Sequence, residues 1–280
     1  MINEFKIKTA VIPIAGLGTR FLPVTRSVPK VLLPVLDTPI IEYAVREVVS
    51  CGITNIIFVM NRNMNIVKEY FDKKTELLNS LKKSNNLEEF KRQEEISNLA
   101  NIEIVYQDKP LGLGHAILQS NTKIDSEYFL VVLPDDLIFN NVNASNQILN
   151  VHNKFGGMCI GLKEIPKEEI SHKGIVDGNL IEKNIYSLNN LIEKPEIENA
   201  PSNLSIIGRY ILNTKIFELI KNQSPGALGE IQITDAIKNC IEYDNLYGKL
   251  LEGKHFDAGN PNGMLEASVF VSKKTSTNSF

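Results

Sequence analysis

Up to residue 133 the sequence repeats one alternation: a short, nearly continuous apolar run, then a stretch of helical period. Strands that are apolar at successive positions have no wet face, so helices must cover both sides of the sheet they build. Residues 9–15, 55–60, 102–107 and 128–133 are such runs. Pro39 opens a helical pattern through Ile40, Ile41, Tyr43, Ala44 and Val48 that ends near Gly52, with Pro at the start and Gly past the end. A second helix passes through Val67, Tyr70 and Phe71, and a third covers residues 114–120. The alternation predicts an α/β chain with a mostly parallel sheet covered by helices on both faces. Residues 74–100 break the rhythm. Rich in Lys and Glu and poor in large apolar side chains, they predict a helical insertion outside the sheet.

A length of 280 residues lies near the upper limit for one core, so one large domain or two small ones are allowed. The chain is 43% hydrophobic and 22% charged, which excludes a disordered or collagen-like polymer. Thirty basic against thirty-three acidic residues, net −3, argue against a nucleic-acid partner drawn by a global basic field. A local basic pocket stays open. No apolar run approaches the roughly 20 residues that span a bilayer, and polar residues 1–8 do not read as a signal peptide. Cys51, Cys159 and Cys240 are scattered, as suits reduced thiols in a cytoplasm. From residue 157 the pattern is strand-rich, with turn signals through 161–191, a strand at 205–212 and an amphipathic helix at 231–241. No repeat or linker divides the chain, so residues 1–280 are expected to form one domain.

The first apolar run leads into Ala15-Gly16-Leu17-Gly18-Thr19-Arg20, at the strand end where α/β sheets bind ligands. Phe21 occupies the place of a third glycine, and no Gly-Lys-Ser/Thr ending follows, so neither the dinucleotide fingerprint nor a P-loop fits. Arg20, Arg26 and Lys30 share a loop stiffened by Pro23, Pro29 and Pro34, a combination suited to a polyphosphate. A second glycine turn, Gly112-Leu113-Gly114-His115-Ala116, opens a helix whose amides could face a ligand. Gln107 before it could read a base edge with one donor and one acceptor; His115 receives no role. Residues 131–136, Val-Val-Leu-Pro-Asp-Asp, end a buried strand in two carboxylates, a place for Mg²⁺. Alternation along a strand lets only one of Asp135 and Asp136 face the site, so a second ligand must come from elsewhere, with Asp257 the candidate.

Together with Ile192-Glu193-Lys194-Pro195, residues 201–204, Ile207-Gly208-Arg209-Tyr210 and residues 230–236, these stretches resemble the bacterial UTP–glucose-1-phosphate uridylyltransferases of the sugar nucleotidyltransferase family. The resemblance implies a Rossmann-like, mostly parallel mixed sheet flanked by helices, with residues 1–150 mainly binding nucleotide and 151–280 mainly sugar phosphate. It implies in-line attack of glucose 1-phosphate on the α-phosphorus of UTP, with pyrophosphate leaving. Arg20 and Lys30 would hold the triphosphate, and Lys194 the sugar phosphate. Glu193 and the Gly174 backbone would meet the glucose. Ala15, Gly16, Gly18, Gln107 and Gly112 would surround the nucleotide, and Asp135 and Asp257 would hold Mg²⁺. No general base is required. A homodimer or tetramer is the usual outcome for such enzymes. Two positions depart from the family pattern: Val31 stands where Glu follows Pro-Lys, and Lys173 where an aromatic residue precedes Gly174.

Three other readings fit parts of the sequence. Thymidylyl or guanylyl transfer keeps the fold, since Gln107 separates uracil poorly from thymine. An idle, UTP-binding regulator is motivated by Val31. A nicotinamide-dependent oxidoreductase rests on the strand and glycine loop alone, against Phe21 and the basic loop.

Overall fold

A computed structural model describes residues 7–226 and 229–277; the expectation for the first six residues lies outside them. The first half contains β1 (Thr9–Pro13), β2 (Pro34–Val35), β3 (Thr38–Pro39), α1 (Ile40–Ser50), β4 (Asn55–Met60), α2 (Asn65–Phe71), α3 (Thr75–Lys83), α4 (Leu87–Ser97), β5 (Asn101–Tyr106), α5 (Leu113–Leu118), β6 (Tyr128–Val132) and β7 (Asp136–Phe139). The second contains α6 (Ala144–Phe155), β8 (Met158–Glu164), β9 (Gly174–Glu182), β10 (Ile185–Glu193), β11 (Leu204–Asn213), α7 (Ile216–Asn222), α8 (Ile233–Cys240), β12 (Leu246–Leu250), β13 (Lys254–Asp257) and α9 (Pro261–Thr277).

Ala10, Val11, Ile12, Phe129, Leu130 and Val131 are fully buried, as strands covered on both faces must be. They form the middle of a nine-stranded sheet of order β5-β4-β1-β6-β11-β8-β12-β10-β9. Only β11 and β10 run against the other strands, which makes the sheet mixed yet mostly one-directional. Its two halves meet where β6 pairs antiparallel with β11, so strands from both halves of the sequence share one sheet and one main core. The 74–100 segment is the helical pair α3–α4, with only Leu78 and Ile96 of its helices buried.

Pro134 ends the β6 run, and the chain restarts as β7, which leaves the main sheet. β7 pairs antiparallel with β13 in a separate two-stranded sheet, with Asp257 opposite Asp136. The small hydrophobic cluster that supports this sheet includes Leu137, Phe256 and α9 residues Met264 and Phe270. That pairing carries the end of the chain back to the carboxyl end of β6.

Candidate active site

A cleft of about 390 Å³ opens at the carboxyl ends of β1 and β5. Ala15, Gly16, Gly18, Gln107 and Gly112 all line it, with Leu17, Leu113, Leu133 and Glu230. Nothing stands within 4 Å of where a Cβ on Gly16 would lie, so the backbone there is open to a ligand. Gly18 is left-handed (φ 66°), and a Cβ would meet Lys30 Cβ and Thr25 Cγ2 at 3.0 Å, so the turn packs directly on the basic loop. Gly112 takes φ 99°, a conformation suited to glycine. The turn it begins is tied to the segment before α8: Ile231 N–H donates to Leu111 O at 2.8 Å and Gly114 N–H to Ile231 O at 2.9 Å. The second bond uses one of the amides expected to face a ligand, that of Gly114, and α5 is a six-residue helix with little dipole to offer.

Within the basic loop Arg20 and Arg26 are exposed and have no ion-pair partner among the described residues. Lys30 instead donates from Nζ to Asp135 Oδ2 at 2.6 Å. Val31 is buried in the main core, so the residue replacing the expected Glu packs there and leaves the Lys30–Asp135 contact intact. Asp135 and Asp136 turn apart, as alternation requires. Asp136 accepts from Gly208 N–H at 3.1 Å and contacts His255 Nε2 at 2.7 Å, and is spent on structure.

Asp135 and Asp257 do come together. A Cβ built on Gly259 would lie 2.8 Å from Asp135 Oδ2 and 2.8 Å from Asp257 Oδ1, so the two oxygens are separated by at most twice that distance. Cis ligands on an octahedral Mg²⁺ sit about 3 Å apart and trans ligands about 4.2 Å, both within that bound, and two carboxylates are the hard-oxygen donors such an ion takes. The described residues contain no cluster of three or more metal-binding side chains, and a cation here would complete its shell with phosphate oxygens and water.

A buried ion pair fixes the Asp135 loop. Arg209 on β11 is 1% exposed and makes a two-pronged contact with Glu47 of α1, at 2.7 and 2.8 Å. Of its three remaining hydrogens one reaches the Gly208 carbonyl (2.9 Å) and two reach the carbonyls of Leu133 (3.1 Å) and Asp136 (2.9 Å), on either side of Asp135. Burial alone would raise the Glu47 pKa; Arg209 and the two Ser145 donors outweigh it and hold the carboxyl below its ordinary range. Arg209 and Glu47 received no role from sequence, although Arg209 lies in one of the recognised stretches.

Gly174, Glu193 and Lys194 form the other end of the site. β9 and β10 place Gly174 opposite Glu193, and a Cβ on Gly174 would meet Glu193 Oε2 at 3.1 Å and Thr234 Oγ1 at 3.2 Å. Thr234, at the start of α8, donates to Glu193 Oε2 at 2.6 Å. Lys194 Nζ lies 3.6 Å from Glu193 Oε1, on a backbone in the left-handed region (φ 48°). Thr234 lies in the family-like stretch 230–236 but received no role of its own from sequence, and its segment links this end to the cleft through Glu230. Lys173 lines a small cavity with Asp136, Lys163 and His255.

This strand-end cleft, its cationic loop and its carboxylate pair are what a nucleotidyl-transferring enzyme requires, and the model of the nucleotidyl transferase family matches residues 9–274: the chain belongs to that family. Among its relatives is the UTP–glucose-1-phosphate uridylyltransferase YngB of Bacillus subtilis (strain 168), 39% identical over 95% of this chain and 90% of that protein. A UDP-glucose pyrophosphorylase solved in complex with UDP-glucose superposes with a TM-score of 0.85 at 36% identity, covering 96% of this chain and all of the other. A UTP-bound relative from Acinetobacter baumannii matches with the same score and identity over 95% and 93% of the two chains. No helix among the described residues is long and apolar enough to cross a membrane.

Proposed function

We propose that the chain transfers a uridylyl group from UTP to α-D-glucose 1-phosphate, giving UDP-glucose and pyrophosphate. The observation that carries the reading is the convergence of Asp135, Asp257 and Lys30 beside the glycine-lined cleft. Phosphoryl chemistry of this kind needs alignment and charge neutralisation more than a protein nucleophile. Ala15, Gly16, Gly18, Gln107 and Gly112 hold the nucleotide. Exposed Arg20 is free to turn onto the triphosphate, and Lys30, now on Asp135, can exchange that carboxylate for a phosphate oxygen. Glu193, oriented by Thr234, accepts from sugar hydroxyls, the Gly174 backbone approaches the ring, and Lys194 pairs with the sugar phosphate. A phosphate oxygen of glucose 1-phosphate attacks the α-phosphorus while the bond to the pyrophosphate leaving group breaks. The attacking oxygen is already anionic, so no side chain must remove a proton. Asp135 and Asp257 would hold Mg²⁺, which supplies charge neutralisation at the phosphates.

The test is pyrophosphate release from UTP and glucose 1-phosphate with Mg²⁺; no release above that of an Asp135→Ala variant removes the reading. Competition among four nucleoside triphosphates addresses thymidylyl and guanylyl transfer, and equal rates refute a uridylyl preference. UTP binding without turnover would favour an idle regulator. A cytoplasmic setting belongs to the same proposal, supported by three free cysteines. So does a homo-oligomer: exposed Leu36, Leu265 and Val269 flank the bond from Leu36 N–H to Ser268 and offer an apolar face, which light scattering would test.

A further inference from the structure

The side-chain amide of Gln107 has two hydrogens, and both are already engaged. Nε2 lies 3.1 Å from the carbonyl oxygen of Gly112 and 3.0 Å from Nδ1 of His115. A carbonyl only accepts, so the nitrogen of the amide, not its oxygen, faces Gly112. Of the two ring nitrogens of His115, Nδ1 has the closer amide nitrogen, 3.0 Å against 3.3 Å at Nε2, and by accepting the second Gln107 hydrogen it leaves the ring neutral with its proton on Nε2. Burial of the ring, with the Lys109 charge nearby, lowers the His115 pKa and favours that neutral form. Gln119 borders the opposite edge of the ring: its amide nitrogen donates to the His115 carbonyl at 3.1 Å and lies 3.3 Å from Nε2, to which it makes no hydrogen bond in this tautomer. Gln107 is itself 7% exposed and lines the cleft. With Nε2 consumed, Oε1 alone is left to meet a ligand, so the pair of base contacts expected from a glutamine shrinks to one acceptor.

We propose that His115 is the positioning residue for base selection: it locks the Gln107 amide with its oxygen toward the cleft, so that the cleft accepts a pyrimidine presenting a ring N–H and rejects cytosine. The inference rests on the uridylyl-transfer reading and adds to it the side chain that sets the polarity of the base contact. Uracil N3–H donates to Oε1. Cytosine presents a lone pair at N3, and two acceptors held against each other in a cleft leave both unsatisfied. An amide free to rotate by half a turn would serve either base. Discrimination therefore comes from the groups that forbid rotation, and of the two, His115 is the one a substitution can remove.

Wild type, His115→Phe and His115→Asn are compared by calorimetric titration with UTP and with CTP, without sugar phosphate. Phe keeps a ring but deletes the acceptor, whereas Asn can return an oxygen to the place of Nδ1. The preference for UTP over CTP is expected to fall about tenfold in His115→Phe and to be largely kept in His115→Asn. A His115→Phe variant that keeps the full preference, or loses UTP and CTP affinity in equal proportion, overturns the proposal. Nitrogen NMR of histidine-labelled wild type supplies a measurement independent of folding in the variants. It should show neutral His115 protonated on Nε2, and protonation on Nδ1 would overturn the proposal as well. Wild type that binds UTP and CTP equally defeats the inference alone; wild type that binds neither defeats the functional reading beneath it.

Discussion

Gly259 occupies a point where a methyl group would lie 2.8 Å from a carboxylate oxygen of each member of the proposed metal site. Gly259→Ala should therefore push Asp135 and Asp257 apart with little effect on the core, weakening Mn²⁺ binding by about tenfold as followed by paramagnetic resonance. Asp135→Asn leaves the volume unchanged and removes both the ligand charge and the partner of Lys30, so pyrophosphate release should fall by about 10²–10³. Thr234→Ala frees Glu193 Oε2 and should raise KM for glucose 1-phosphate by about tenfold, with KM for UTP nearly unmoved; steady-state kinetics with each substrate varied separates the two. Local pattern made part of this legible. Gln107, Gly112 and Asp135 sit at strand ends beside turn residues, so their neighbourhood in sequence announces their place. Thr234 and His115 looked like ordinary helix residues because their partners, Glu193 and Gln107, are identified only by the folded arrangement.

At the level of elements, β11 is the strand on which the site is mounted. It joins the two halves of the sheet and carries Arg209, whose removal would leave Glu47 charged and unpaired in the interior. Arg209→Met should cost about 3–5 kcal/mol in unfolding free energy, measured by denaturant titration. The pH dependence follows from the sign of the Glu47 shift. Its folded pKa is depressed, so its stabilisation is present above the ordinary carboxylate value of about 4.3 and is lost as pH falls through the lower folded value. Thermal midpoints across that acid window should decline less steeply in Glu47→Gln than in wild type. None of this could be read from α1, where Glu47 is one polar position in a helical pattern and its partner lies 162 residues away. β7 was missed for a related reason. Its apolar residues follow so closely on β6 that only Pro134 and the distant pairing with β13 reveal a second sheet.

For the molecule as a whole, the β6–β11 pairing means that neither half has a finished sheet. A fragment ending at residue 142 would expose the fully buried β6 along one edge and should aggregate, whereas co-expression with the remainder should recover soluble complex; size-exclusion chromatography distinguishes the outcomes. The alternation of apolar runs foretold the α/β class and strands β1, β4, β5 and β6 of the main sheet, because it is a local signal. The order of the later strands was beyond it, since their neighbours are set by pairings across long separations. Lys194 has a consequence for anyone who evolves this chain. Its backbone sits where glycine or asparagine is at ease, so Lys194→Gly should release about 0.5–1 kcal/mol of strain and raise the melting temperature while deleting the proposed phosphate cation. Selection for heat resistance alone would then enrich inert molecules, and a library built on this scaffold needs an activity gate from its first round.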